Sequence, residues 1–108
     1  MTLTQLVINF GPAPASSYWY ATALYNGREV GRVEYVEHAP EGPASVMEVS
    51  VATDMRRQGI ATALLDALLA RYGRPLYATA PEDNGADTRA FFAAFRRHAG
   101  RGAIAYIR

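Results

Sequence analysis

The apolar positions of the chain change their spacing at several points, and each change predicts a secondary-structure element. Residues 46–52 contain three β-branched valines, which is typical of a strand. From Ile60 the apolar spacing becomes helical, and one stripe collects Leu64, Leu65, Leu68, Leu69 and Tyr72. The stretch 46–72 therefore predicts a strand, a tight turn and a helix.

Three more strands are predicted before this unit. Residues 3–10 alternate between apolar and polar, and the glycine and prolines of residues 11–14 end that strand. Residues 18–25 and 28–37 are joined by Asn26-Gly27, a pair that favours a type I′ hairpin turn because both positions need positive φ. The first two strands lie too close in sequence for helices to fit between them.

The chain after the helix predicts a second strand–helix–strand unit. Residues 76–80 predict a strand parallel to residues 46–52, because a helix connects the two. Asp87 is the predicted N-cap of a second helix, 88–99, and residues 103–107 predict a last strand. The expected fold is α/β (α+β), a mixed and mostly antiparallel sheet with a central parallel strand pair, flanked by two helices.

Composition excludes several kinds of chemistry. The 108 residues suffice for one domain with one core, and half of them are hydrophobic. Because the chain has no cysteine, it has no disulfide, no thiolate metal ligand and no cysteine nucleophile. We expect no metal site, and any group transfer should proceed without an intermediate bound to a cysteine, by direct attack of the acceptor.

The charge of the chain does not indicate a nucleic-acid or membrane surface. The formal net charge is +1, and all eleven basic residues are arginine. The sequence has no apolar run of transmembrane length and no charged-then-apolar leader at its start. We therefore expect a cytoplasmic protein.

The turn before the first helix is a predicted anion site. A helix that begins there leaves its first N–H groups without intrahelical partners, and its dipole adds partial positive charge. Arg56 and Arg57 add full charges, and Gly59 lets a phosphate approach the backbone closely. The alternative is an ordinary strand-to-helix turn whose arginines are merely solvated.

Arg56, Gly59 and Ala61 occupy the fixed positions of a known signature: Arg or Gln, two variable residues, Gly, one variable residue, then Gly or Ala. Val51 precedes Arg56 by five residues, which is also the family's spacing. The chain thus resembles the GNAT superfamily of acyl-CoA-dependent N-acyltransferases, as does the segment LYNGREVGRVEYV, residues 24–36. The resemblance implies a single GNAT-like domain that transfers an acetyl group from acetyl-CoA to an amine acceptor in a ternary complex. That acceptor is a small molecule or a protein.

The resemblance also implies a CoA site. In the family, the pyrophosphate binds backbone N–H groups of the signature turn, and the strand before the turn splays from its parallel neighbour so that its free backbone bonds the pantetheine arm. Cofactor binding is accordingly assigned to Val49, Ser50, Val51, Arg56, Arg57, Gln58, Gly59, Ile60, Ala61, Thr62 and Asn84. For Asn84, a loop residue that bonds its own backbone is an equal alternative.

A general base is expected because an alkylamine acceptor is mostly protonated at neutral pH. Glu48 is the candidate, since it is the only carboxylate within residues 46–52 and lies beside the implied thioester. A solvent-facing or salt-bridged glutamate is the alternative. Glu34 and Glu37 are weaker candidates, and His38 is expected to be an idle loop residue.

The family's usual general acid is absent from its matching position. Many members of the family carry a tyrosine on the second helix that protonates the departing thiolate, whereas Phe91 and Phe92 occupy the matching positions here. Tyr77 and Tyr106 are candidate substitutes, although for each the favoured explanation is a core or interface aromatic.

Two further functions stay open beside the enzyme. One is a non-catalytic GNAT-like module that binds acyl-CoA or another protein, and the other is an anion-binding or nucleic-acid-binding domain. The family's helix pair between the first two strands is missing, which leaves the acceptor side open or requires a partner subunit. We expect a homodimer, because the short strand-rich chain leaves sheet edges and apolar surface to be covered.

Overall fold

The computed structural model describes residues 5–14, 17–38, 43–73, 75–79 and 85–107, which form one six-stranded sheet and two α-helices. The strands are β1 (Val7–Pro12), β2 (Trp19–Tyr25), β3 (Arg28–Glu37), β4 (Ala44–Val51), β5 (Leu76–Thr79) and β6 (Ile104–Ile107), and the helices are α1 (Ile60–Tyr72) and α2 (Gly85–Ala99). Strands adjacent in sequence are adjacent in the sheet. Within the described ranges, no helix is long and apolar enough to cross a membrane.

The first four strands form an antiparallel meander. The turn between β2 and β3 has positive φ at Asn26 (52°) and Gly27 (79°), which confirms the predicted hairpin. β1 and β2 are also directly paired, and the N–H of Ala13 donates to the carbonyl of Tyr18 across their connection. The described residues of this connection, 13–14 and 17–18, form no helix, as the short spacing predicted.

Three predicted boundaries are wrong, and the first is the start of β1, which lies at Val7 and not at residue 3. β1 does not end at residue 10, because Gly11 and Pro12 continue the pairing with β2; a proline is tolerated there because β1 is an edge strand. Helix α2 begins at Gly85, so Asp87 lies inside its first turn and is not the N-cap. The strands at 44–51, 76–79 and 104–107 differ from their predicted bounds by two residues or fewer.

The last three strands run parallel to each other, and a helix connects each consecutive pair. Parallel crossovers are right-handed, which places α1 and α2 on the same face of the sheet. A hydrogen bond of 2.9 Å between His98 of α2 and Asp66 of α1 joins the two helices. The predicted fold class, with its parallel β4/β5 pair and two flanking helices, is confirmed.

The hydrophobic core lies between the two helices and the sheet face that they cover. Helix α1 contributes Ile60, Leu64, Leu65, Leu68 and Tyr72, helix α2 contributes Phe92 and Phe95, and the sheet contributes residues that include Ala21, Ala23, Val33, Tyr35, Val46, Leu76 and Ala78. On the opposite face Arg32 and Glu34 are partly exposed, and Glu48 and Ser50 are exposed. One sheet face therefore builds the core, and the other is open to solvent among the described residues.

A glycine lets α1 pack closely on the sheet. A Cβ at Gly31 would lie 2.8 Å from Cγ2 of Ile60 and 3.3 Å from Cδ1 of Leu64. Both distances are shorter than an ordinary van der Waals contact, so a side chain at Gly31 would push the start of α1 away from β3. The absence of a side chain there fixes the position of the turn that precedes the helix.

Candidate active site

A bulge in β4 decides which way its side chains point. Glu48 pairs with Glu34 and Val46 pairs with Tyr35, so Met47 has no counterpart in β3. The extra residue inverts the alternation along the strand. Val46 is buried in the core although Glu48, two residues later, lies on the open face. The sequence carries a signal for this bulge. Val46 has an even number and Val49 and Val51 have odd numbers, so the three valines can face the same side only if one extra residue lies between 46 and 49.

The two central parallel strands separate just after they meet. β4 and β5 are paired at Ser45 with Tyr77 and at Val46 with Ala78. From Met47 onward β4 has no β5 partner among the described residues. The backbone edge of residues 47–51 is therefore available to an extended ligand, which can add to it as a strand would.

A groove of about 680 Å³ lies where the strands separate. β4 supplies one wall, the turn and first residues of α1 a second, and α2 a third. The lining residues are Val46, Met47, Glu48, Val49, Ser50, Val51, Met55, Arg56, Arg57, Gly59, Ile60, Ala61, Thr62, Phe91 and Phe92. The volume suits a small-molecule site.

The turn at the start of α1 presents unpaired donors to this groove. The first bond of the helix runs from the N–H of Ala63 to the carbonyl of Gly59, so the N–H groups of Ile60, Ala61 and Thr62 precede the intrahelical ladder. Gly59 caps the helix without a side-chain hydrogen bond, and the first turn holds no acidic residue. The dipole and the N–H groups therefore attract an anion at this end of the groove.

The backbone of the turn is strained at one residue. Arg57 has a φ of 65°, in the left-handed region that costs a residue with a side chain about 1–2 kcal/mol. Gly59 has a φ of 82° at no such cost. Strain of this kind is typical of ligand-binding turns, where it directs several N–H groups toward one point.

An exposed ion pair ties the start of the turn to the sheet. Asp54 lies in a 3₁₀ turn (Thr53–Met55), and both of its carboxylate oxygens accept hydrogen bonds from Arg28 of β3, at 2.9 and 2.7 Å. The hydrogen bond from Arg28 lowers the pKa of Asp54, and Asp54 in turn raises the pKa of Arg28. Because the pair is exposed, its role is to position the turn rather than to stabilise the fold.

The candidate base lies between the groove and the open face. The exposed Glu48 lines the large groove and also a recess of about 70 Å³ on the open face, together with Arg32, Glu34 and Ser50. Arg32 is engaged by Glu29, whose two carboxylate oxygens accept hydrogen bonds of 2.8 and 2.9 Å. A ligand in the groove and a second ligand on the open face can therefore both reach Glu48.

Some of the other predicted residues line the groove and some do not. Of the predicted cofactor-binding residues within the described ranges, Gln58 alone stands outside the groove lining and is exposed. Asn84 and the side chain of Tyr106 lie outside the described residues. Glu37 accepts a 2.7 Å hydrogen bond from Tyr72, so it faces α1 and not Glu48.

Sequence reasoning missed two features. Met55 lines the groove and packs against the core. His38, which was expected to be idle, lies with its Nε2 2.5 Å from Oγ of Ser45, and its ring meets that of Tyr77 edge-on at 6.1 Å between centroids. No local pattern could have found this pair, because β-ladder register brings the three residues together.

A family comparison agrees with this geometry. The model of the acetyltransferase (GNAT) family matches residues 3–98, which is most of the chain. The chain belongs to the GNAT acetyltransferase family. Among curated protein sequences, none matches this GNAT domain significantly.

Solved structures share the fold. A ribosomal-protein-alanine N-acetyltransferase from Brucella melitensis biovar Abortus 2308 is 25% identical with a TM-score of 0.58, and the match covers 75% of this chain and 62% of that one. A GNAT family acetyltransferase from Streptococcus pneumoniae is 14% identical with a TM-score of 0.62, over 95% and 98% of the chains. An aminoglycoside acetyltransferase from an uncultured soil metagenomic sample is 17% identical with a TM-score of 0.61, over 88% and 67%. This chain therefore spans about two thirds of the length of two of these proteins.

Proposed function

We propose that this chain is an N-acetyltransferase that moves an acetyl group from acetyl-CoA to an amine by direct attack in a ternary complex. The observation that carries the proposal is the free edge of β4 beside the donor-rich start of α1, both lining one groove. A ligand with an anionic end and a peptide-like arm matches this combination. Acetyl-CoA is such a ligand.

The two ends of the groove have different binding tasks. The pyrophosphate binds the N–H groups at the start of α1, with Arg56 and Arg57 supplying charge and the Thr62 hydroxyl an extra donor. The two amide groups of the pantetheine arm bond the free edge of residues 49–51, as a strand would. This arrangement directs the thioester toward the point where β4 leaves β5.

The chemistry requires a C–N bond to form and a C–S bond to break. The amine attacks the thioester carbonyl, and Glu48 takes the proton that the nitrogen loses, directly or through one water. A backbone N–H of the free β4 edge stabilises the oxyanion of the tetrahedral intermediate. The intermediate then collapses and CoA leaves as the thiolate.

The open sheet face is the proposed acceptor side. It is the face on which Glu48 and Glu34 lie, so an amine that arrives there meets the base from the side opposite the helices. We also propose that a second copy of the chain covers part of this face, so that the protein is a homodimer. Its proposed location is the cytoplasm. Sedimentation at micromolar concentration tests the assembly, and a monomer would contradict it.

Binding and turnover test the function in sequence. Isothermal titration with acetyl-CoA and with desulfo-CoA measures binding without chemistry. Thiol release is then followed with a panel of amines that includes an alkyl diamine and a peptide with a free N-terminal alanine, the latter because of the Brucella neighbour. Binding together with amine-dependent thiol release supports the proposal, and absence of binding to both ligands would reject it.

A non-catalytic acyl-CoA-binding module is the second candidate. The observation that favours it is that Phe91 and Phe92 line the groove and offer no proton to a leaving thiolate. In that case acetyl-CoA binds as in the enzyme, and no amine increases the rate of thiol release above that of acetyl-CoA in buffer.

A further inference from the structure

The first residues of β3 hold both ends of the turn before α1. At the start of the turn, the N–H of Ala52 donates to the carbonyl of Val30 at 2.9 Å. Two residues later, the carboxylate of Asp54 accepts hydrogen bonds of 2.9 and 2.7 Å from Arg28. At the end of the turn, the backbone of Gly31 packs so closely on the first residue of α1 that a Cβ there would meet its Cγ2 at 2.8 Å. Three of the first four residues of β3 therefore fix where the turn begins and where it ends.

The middle of the turn has few restraints of its own. Arg56, Arg57, Gln58 and Gly59 are all exposed. With the described parts of the chain, their side chains form one hydrogen bond, a long one of 4.0 Å from Nε2 of Gln58 to Sδ of Met55. Yet Arg57 has a φ of 65°, in the left-handed region that a residue with a side chain rarely adopts. Such a conformation persists only where the surrounding structure imposes it, so the fixed ends of the turn impose it here.

The ion pair of Arg28 and Asp54 restrains the turn through side chains alone. Arg28 directly follows the Asn26-Gly27 turn, so the β2/β3 hairpin fixes its backbone. Its guanidinium binds both carboxylate oxygens, a geometry that fixes orientation as well as distance. Asp54 belongs to the 3₁₀ turn in which the N–H of Met55 donates to the carbonyl of Ala52 at 2.8 Å. The ion pair thus holds the 3₁₀ turn from which the strained segment continues.

We propose that Arg28 and Asp54 are positioning residues for acyl-CoA, because they hold the turn in the strained form whose N–H groups meet the pyrophosphate. The inference rests on the proposed function. A turn that is already ordered loses little freedom when the ligand binds, so more of the contact energy appears as affinity. Without the ion pair, the turn relaxes in the free protein, and each binding event has to order it again. Neither residue lines the groove, so the effect acts through the turn.

A double-mutant cycle tests the contact by titration with acetyl-CoA. Arg28→Ala and Asp54→Ala should each weaken binding about three- to tenfold, and the double variant should bind no more weakly than either single variant, because all three lack the same contact. Direct binding of a phosphate by Arg28 predicts the opposite for Asp54, since loss of the carboxylate would free the guanidinium and strengthen binding. Tighter binding by Asp54→Ala would therefore overturn the proposal.

Glu29→Ala is the matched control for the titration. Glu29 is also an exposed residue of β3, and its two carboxylate oxygens accept hydrogen bonds of 2.8 and 2.9 Å from Arg32. This ion pair does not involve the turn before α1, so its loss should leave the affinity for acetyl-CoA unchanged. A loss as large as that of Arg28→Ala would contradict a specific role for the contact with Asp54.

A shortened acyl donor separates the turn from the rest of the groove. Acetyl-pantetheine keeps the thioester and the arm that is proposed to bond β4, but it has no pyrophosphate. Arg28→Ala should therefore raise KM for acetyl-CoA about three- to tenfold with kcat unchanged, and it should leave both constants for acetyl-pantetheine unchanged. An equal rise in KM for both donors would show that the variant disturbs the whole groove, and the positioning role would be wrong.

Hydrogen exchange of the free protein measures the turn without any ligand. The hydrogen-bonded N–H groups of Ala52 and Met55 should exchange faster in Arg28→Ala than in wild type. The N–H of Gly73, bonded to the carbonyl of Leu69 at the far end of α1, should keep its wild-type rate. Unchanged exchange at Ala52 and Met55 would overturn the proposal.

The titrations also separate this inference from the function on which it rests. If the wild-type protein does not bind acetyl-CoA, the proposed function fails, and the role of the ion pair in acyl-CoA binding fails with it. If the wild-type protein binds acetyl-CoA and Arg28→Ala binds it equally well, only the role of the ion pair fails.

Discussion

Glu34 of β3 and Glu48 of β4 are direct register partners, and both side chains lie on the sheet face opposite the two helices. Cβ atoms of such partners are about 4.5–5.5 Å apart. Two like charges at this distance repel each other, and Arg32 lines the same recess, so the charges around Glu48 bear directly on the proposed binding of an amine acceptor there. The bulge at Met47 creates this pairing.

Glu48→Gln should reduce turnover about 100-fold or more, because the amide keeps the shape of the side chain but cannot take a proton. Affinity for acetyl-CoA should change little, since Glu48 is not among the residues assigned to cofactor binding. The variant should regain part of its activity in alkaline buffer, where more of the acceptor amine is already neutral. Glu34→Gln is the matched control, and wild-type turnover in Glu48→Gln with loss in Glu34→Gln would transfer the role to Glu34.

Gly59→Asn should weaken acetyl-CoA binding far more than it weakens the fold. Asparagine tolerates the φ of 82° at this position better than other side chains, but its Cβ occupies the space that a pyrophosphate needs. Gly27→Asn, at a φ of 79° in the β2/β3 turn and with open space around it, is the control for strain. Calorimetric titration measures the affinity of both variants for acetyl-CoA. Equal affinities of Gly59→Asn and Gly27→Asn would contradict the pyrophosphate assignment.

Arg56→Ala should have a milder effect than Gly59→Asn. It removes one charge-assisted contact, worth about 1.5–3 kcal/mol, and leaves the backbone donors of α1 in place. The difference in acetyl-CoA affinity between wild type and Arg56→Ala should become smaller as the salt concentration is raised, because Arg56 is exposed and its charge is screened. Arg97→Ala, an exposed arginine in the last turn of α2, should leave the affinity unchanged.

Gly31→Ala should lower the free energy of unfolding by about 1–3 kcal/mol, because the new Cβ would overlap Cγ2 of Ile60 at 2.8 Å. Gly11→Ala, in a strand position with nothing within 4 Å, is the control in urea unfolding. The cost should shrink in an Ile60→Ala background, where the clashing atom is gone. An equal cost in both backgrounds would show that the contact does not limit packing.

Tyr35 should make the fold sensitive to alkaline pH. Burial raises the pKa of Tyr35, and its hydrogen bond of 2.9 Å with Tyr72 adds to the shift. The unfolded chain releases this proton near pH ~10, so the stabilisation is complete below that pH and is lost as the pH rises above it. Tyr35→Phe should cost about 0.5–1.5 kcal/mol at neutral pH and should show a shallower loss of stability above pH ~10. Identical pH profiles in urea unfolding would contradict the assignment.

Features encoded by neighbouring residues were readable from the sequence. Asn26-Gly27 specifies its hairpin because the turn needs positive φ at both positions, and the leucine stripe of α1 specifies a helix because its period is helical. The turn before α1 was also readable, because its signature residues Arg56, Gly59 and Ala61 lie within six positions of one another. The predicted turn residues other than Gln58 do line the groove.

Features that depend on register were decided only by the tertiary structure. The bulge at Met47 turns Glu48 to the open face, and the loss of β5 pairing after Val46 frees the β4 edge, yet both arise from contacts between strands distant in sequence. The pair of His38 and Ser45 exists only because β3 and β4 align there. Local chemistry thus determined the elements and the turn that is the candidate anion site, whereas long-range pairing determined which side chains meet where the acyl group would react.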